Sequence, residues 1–131
     1  MGLAGTVFKL AMQQKEKESV KFPASFHVGE FSFDREQGIV RYSFTRCPNA
    51  EFAKRHGLEH VLPLMCNCDH LAMRSLHARL IRCGTCITGD RCDYCILGDQ
   101  NRWGNKFELI TDENGLWLSR PVSQGEGAEP A

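Results

Sequence analysis

The spacing of apolar and polar positions predicts a short series of elements. Residues 5 to 19, "GTVFKLAMQQKEKES", set Val7, Phe8, Leu10, Ala11 and Met12 ahead of a charged run, as in a helix packed at one end and solvated at the other. In "SFHVGEFSFD" the apolar positions alternate as Phe26 and Val28, then Phe31 and Phe33. The parity changes across Gly29 and Glu30, as a bulged strand requires. After the turn "REQG", the segment "IVRYSFTRC" puts Val40, Tyr42 and Phe44 on one face, so the two runs form an antiparallel hairpin. Pro48 and Gly57 then bracket a short helix at its first position and just past its end. A longer helical pattern starts at Pro63 and runs to about Leu80. "LIRCGTCITGDRCDYCIL" reads as two strands joined around Gly89 and Asp90, and "FELI", "DENG" and "LWL" suggest a weaker second hairpin.

These elements predict an α+β fold, an antiparallel sheet of about four strands (24–33, 37–47, 79–88 and 92–98) with the long helix and shorter helices on one face. The chain divides into an N-terminal helix and linker (1–22), the α+β core (23–100), a C-terminal extension (101–119) and a polar tail expected to be disordered (120–131).

On a helical wheel of the 63–77 segment, "PLMCNCDHLAMRSLH", extended to Leu80, an apolar arc of Met65, Ala72, Met73, Leu76 and Leu80 is expected to face the core. Asp69 falls inside that arc. Cys66, His70 and His77 line its edge, Cys68 borders the apolar side, and Asn67 and Arg74 lie toward solvent. A carboxylate on a core-facing stripe needs a partner, because an isolated buried charge costs several kcal/mol. Three readings stand. Asp69 pairs with an arginine such as Arg82 or Arg46 and ties helix to sheet. Alternatively Cys66, Asp69 and His70 share one face as an active site, in which a base activates a thiol. Or Cys66 and His70, with His77 or Asp69, hold a metal ion.

Composition narrows the partners. With 131 residues and 42% hydrophobic content the chain can bury one modest core. Sixteen basic and sixteen acidic side chains cancel, which argues against a nucleic-acid partner. No apolar run approaches the roughly 20 residues of a membrane span, and the N-terminus turns charged too early for a signal peptide, so a cytoplasmic location is expected. Seven cysteines in a reducing compartment point to free thiols, metal ligands or a nucleophile. "CGTCITGDRCDYC" holds two CxxC pairs only five residues apart, too close for a zinc knuckle. In extended strands the members of each pair also point to opposite faces. Cys83, Cys86 and Cys95 are therefore expected to be small apolar residues of a packed sheet. Cys47 precedes Pro48 and sits at a helix N-terminus, where the dipole favours a thiolate, and Cys66 is expected to share that benefit in the first turn after Pro63.

Taken together, "FSFDREQGIVRYSFTRCPNAEF", "CNCD" and "LIRCGTCITGDRCDY" resemble the L-2-amino-thiazoline-4-carboxylic acid hydrolase-like family. Its pattern has a strand ending in Cys, a helical C-x-x-D, and an R-T-x-T-x-x-G strand followed by C-D-F. The matching positions are Cys47; Cys66 and Asp69; Arg82, Thr85 and Gly89; and Cys92, Asp93 and Tyr94, over about residues 26 to 98. Cys83 stands where the pattern has its first Thr, and Tyr94 where it has Phe. The N-terminal helical region is shorter than usual in the family, which leaves open a shortened form, a fragment or a homodimer that completes its pocket.

The resemblance implies a hydrolase, without cofactor or metal, that opens the ring of a cyclic isothiourea to a carbamoyl-cysteine. Cys66, Asp69 and His70 would be catalytic; Arg82, Thr85, Cys92 and Cys47 would bind the small-molecule substrate, with Arg82 on its carboxylate. Within that reading, Cys66 attacks as a thiolate or Asp69 directs a water. Two other classes remain alternatives: a non-catalytic small-molecule-binding or sensing domain of the vinyl reductase type, and a zinc-binding structural module.

Overall fold

A computed structural model describes residues 2–123. Helix α1 (Gly2–Lys21) leads into the hairpin of strands β1 (His27–Asp34) and β2 (Ile39–Arg46). Helix α2 (Pro48–His56), one 3-10 turn (Glu59–Val61) and helix α3 (Leu62–Ser75) follow, then strands β3 (Ala78–Ile81) and β4 (Cys92–Gly98). A second 3-10 turn (Arg102–Lys106) and the hairpin of β5 (Phe107–Thr111) and β6 (Trp117–Pro121) complete the chain. The main sheet has four strands in the order β1-β2-β4-β3, all pairs antiparallel, as the α+β reading expects. No helix among the described residues is long and apolar enough to cross a membrane.

Local sequence accounts for much of this. In β1, Val28 pairs with Phe44 and Phe31 with Tyr42, so the register slips across Gly29 and Glu30, where the hydrophobic parity changes. Gly29 permits the slip: a Cβ there would lie 2.4 Å from the Ser43 hydroxyl. Pro48 opens α2, and Gly57, at φ 67 and ψ 28, closes it by donating its N–H to the Ala53 carbonyl.

One face of the sheet carries Val40, Tyr42, Leu80 and Ile96, and Phe8 and Met12 of α1 and Met73 of α3 pack on it. Val7 and Leu10 of α1 are exposed, so this helix is packed along a narrow stripe of Gly5, Phe8 and Met12 and not at one end. The opposite face, built on Ile39, Ile81, Cys95 and Leu97, is covered by Trp103 and Phe107 from the C-terminal extension. Arg120 and Pro121 belong to β6, against the disorder expected from 120; the rest of that expectation, residues 124–131, lies outside the described residues.

Two expectations are corrected. Helix α3 ends at Ser75 and His77 takes a left-handed φ of 53, so Leu80 lies on β3 and not on the helix. Strand β3 stops at Ile81, and residues 82–91 form a loop. The Asp93 carboxylate is the reason: it accepts the N–H groups of Cys83 (3.1 Å) and Gly84 (2.6 Å), taking the place of strand partners. Cys83 is exposed and Cys86 is half-buried in that loop, and of the three cysteines assigned to a packed sheet only Cys95 occupies one.

Candidate active site

The helix α3 is turned by about a fifth of a revolution from the orientation its apolar residues suggest. Its inward face is Leu62, Pro63, Cys66, Asp69, His70 and Met73, at the three- and four-residue spacing of one helical side. Met65, Leu71 and Leu76 are left more than half exposed. Polar pairing sets this phase. Arg82, fully buried just beyond β3, directs Nη1 to Asp69 Oδ2 at 2.9 Å and Nη2 to the Cys66 carbonyl at 2.8 Å. The Tyr94 hydroxyl donates to the same Asp69 oxygen at 2.9 Å. A buried guanidinium without a carboxylate would cost several kcal/mol, enough to offset leaving a few apolar side chains partly in water. The pairing of Asp69 with Arg82, one of the two arginines named for it, is thus found; Arg46 instead pairs with Glu51.

Neighbouring strands hold this node in place. The Arg82 backbone exchanges bonds with Ser119 of β6, donating its N–H to the hydroxyl at 3.0 Å and accepting the Ser119 N–H at 2.7 Å. Tyr94 stacks on Tyr42 with ring centroids 4.8 Å apart and planes within 7°. Burial pushes the hydroxyl pKa of both tyrosines up, so Tyr94 remains a donor. Both bonds to Asp69 fall on Oδ2 and leave Oδ1 outside them.

Beside the node lies an open cavity of about 360 Å³, lined from α1, α2, α3, β2, β4 and the 82–91 loop. Asp69 lines it together with four of the seven cysteines: Cys47, Cys66, Cys86 and Cys92. Phe26, Phe44, Leu62, Met65 and Ile87 supply apolar walls, and Lys15 and Asn49 are the remaining polar groups besides Thr85 and Tyr94. Thr85 also shapes the loop: its hydroxyl accepts the Ile87 N–H and its carbonyl the Gly89 N–H. Cys47 is the N-cap residue of α2, though its side chain makes no capping bond.

Burial works against ionisation of Cys66, Cys86 and Cys92. Burial pushes Cys66 up, with Arg82 opposing only in part, and burial pushes Cys92 up to about 11. Cys66 also gains no help from a helix end. With α3 starting at Leu62 it is the fifth helical residue, beyond the first turn whose free N–H groups stabilise a thiolate. Among the described residues no three His, Cys, Asp or Glu side chains are grouped to hold a metal ion.

Of the residues singled out from sequence, Cys66, Asp69, Thr85, Cys92 and Cys47 meet at this cavity, and two do not. Arg82 is sealed behind Asp69 with none of its surface exposed, so it does not face a ligand. His70, one residue and about 100° on from Asp69, packs against Trp117 with ring centroids 6.0 Å apart and lines a different hollow under the C-terminal hairpin. Burial lowers its pKa to about 4, and its Nε2 is buried without a partner. Sequence reasoning missed Cys86, Lys15 and the Tyr94 hydroxyl. Tyr94 had a signal, since it stands where the family pattern has Phe and so brings an oxygen to Asp69.

The chain belongs to the L-2-amino-thiazoline-4-carboxylic acid hydrolase family, whose model matches residues 5–96. The match runs from Gly5 in α1 to Ile96 in β4, including every residue lining the cavity, and leaves the C-terminal hairpin outside. No curated protein and no solved structure matches the chain.

Proposed function

We propose that this protein is a hydrolase that opens the ring of a cyclic isothiourea of the 2-amino-thiazoline carboxylate type, with Asp69 as the general base. One observation carries the reading: Asp69 is tethered through Oδ2 by Arg82 and Tyr94, while Oδ1 makes neither of those bonds and the side chain lines the cavity. A carboxylate fixed by one oxygen and open at the other is suited to orient a water and take its proton. The water oxygen bonds to the ring carbon between sulfur and nitrogen as the carbon–nitrogen double bond becomes single, and the water's proton passes by way of Asp69 to the ring nitrogen. The carbon–sulfur bond then breaks as the new hydroxyl becomes a carbonyl, and the hydroxyl proton passes to the departing sulfur to give a carbamoyl-cysteine with a free thiol. Cys47, Cys66 and Cys92 shape the pocket on this route.

A second route has Cys66 as nucleophile. Its placement one helical turn before Asp69 on the same cavity wall supports it, and the upward push on its thiol weighs against it. The two separate by mutation. With L-2-amino-thiazoline-4-carboxylate as substrate and the product followed by mass spectrometry, Asp69→Asn should lose about 100-fold or more in kcat. Cys66→Ser should stay within about tenfold of the parent, a smaller loss than a general base supplies. A folded Asp69→Asn protein with full activity, or a Cys66→Ser protein with none, would overturn the water route.

A further inference from the structure

We infer that Lys15 of α1 anchors the carboxylate of the substrate, a role that rests on the proposed hydrolysis and deepens it. A ligand with a carboxylate needs a cation in the cavity, and Arg82, the arginine nearest the site, is enclosed and committed to Asp69 and the Cys66 carbonyl. The other cations close by are also engaged. Arg46 makes two bonds to Glu51, both at 2.8 Å, and Lys54 donates to the Cys86 carbonyl at 3.0 Å.

Among the described residues Lys15 is the one cationic side chain that lines the cavity. Its Nζ lies 5.2 Å from the centroid of the Phe26 ring, itself part of the cavity wall. No hydrogen bond or ion pair occupies its ammonium among the described residues. Contact with a ring face positions an ammonium and leaves its N–H donors for an anion. The half-buried position gives the charge more effect than it would have in open water.

Placement of the two charged walls also orients the ligand. Asp69 on α3 attracts the amidine side of a 2-amino-thiazoline ring, and Lys15 on α1 attracts its carboxylate, so the carbon to be attacked is held near Oδ1. Lys15 is a positioning residue; it does not touch the reacting carbon.

The test compares L-2-amino-thiazoline-4-carboxylate with 2-amino-thiazoline, which lacks the carboxylate, in the full-length protein. Lys15→Met should raise KM for the acid about tenfold with kcat changed little, the size of one lost charge-assisted hydrogen bond. The preference for the acid over the neutral ring should collapse by the same factor, and Lys15→Arg should restore most of it. An undiminished preference in Lys15→Met, or an equal loss for both compounds, would overturn the assignment. If the parent protein turns over neither compound, the proposed reaction fails separately. Equilibrium binding of the same two compounds then decides Lys15: equal affinity of parent and Lys15→Met for the acid, or no binding of the acid by the parent, rejects it.

Discussion

Two hollows of similar size flank α3, about 360 Å³ on the side of α1 and α2 and about 300 Å³ under the C-terminal hairpin, and they differ in what their charges do. In the first, one carboxylate is braced from behind and four thiols meet it across apolar walls. In the second, the charges largely satisfy each other. Asp99 pairs with His77, Glu108 with Arg120, and Arg79 donates to the Phe107 carbonyl at 2.8 Å. Volume alone does not separate the two. What favours the first as the proposed reaction site is a held group with bonding capacity left over next to apolar surface, the arrangement in which a proton acceptor acts on a bound ligand.

The contrast can be broken most forcefully at its brace. Arg82→Leu removes the partner of Asp69 and the bond to the Cys66 carbonyl. It should cost about 3 kcal/mol or more in urea unfolding, toward the lower end for a buried pair because the Asp69 side chain is 42% exposed. It should also lower activity, since Asp69 then loses its fixed orientation. A fully stable Arg82→Leu protein would show that the node is not what sets the phase of α3.

The second hollow is tested by acid. Burial holds the folded-state pKa of His70 at about 4, against about 6.5 for an unperturbed histidine. Below pH 6.5 the unfolded chain binds a proton that the folded chain refuses, so stability should fall as the pH drops from 6.5 to 4. The loss approaches about 3 kcal/mol at the lower end. His70→Phe keeps the packing on Trp117 and should remove this component, measured as the difference between the two stability profiles. Identical slopes would mean that His70 is not buried in its neutral form.

The smallest effect concerns the hairpin itself. Asn67, placed toward solvent by the wheel, donates to the Gly115 carbonyl at 2.9 Å and accepts the Trp117 N–H at 2.8 Å, tying β5–β6 to α3. Asn67→Ala should cost about 1 to 2 kcal/mol and speed proteolysis within 101–123, leaving turnover in the first cavity nearly intact. A matching loss of activity would mean that the hairpin supports the site through Arg82 and Ser119 more strongly than the geometry suggests.

Much of the fold was legible along the chain because the signals are local. The parity change at Gly29, the Pro48 and Gly57 limits of α2 and the weak second hairpin depend on neighbours in sequence and on the period of a strand or helix. Asp69 could also be identified as a residue in need of a partner, with Arg82 among the candidates. The side that α3 presents was not legible: a wheel ranks positions by hydrophobicity and assigned the core to Met65, Ala72 and Leu76, which are exposed. Likewise, "LIRCGTC" has strand composition throughout, yet the strand stops at Ile81: Asp93 takes the N–H groups of Cys83 and Gly84, and the loop that follows carries Cys86 to the cavity.

By itself, then, the sequence determined the order and kind of the elements, the family pattern and the residue types available for chemistry, since each depends on local spacing. Only the tertiary structure decided that Asp69 and His70, adjacent in the chain, serve different hollows, that Arg82 braces the site from behind, and that Lys15 from the far end of the chain enters it. Those outcomes turn on which buried charges find partners across long sequence separations, and that competition is resolved only when the layers pack together.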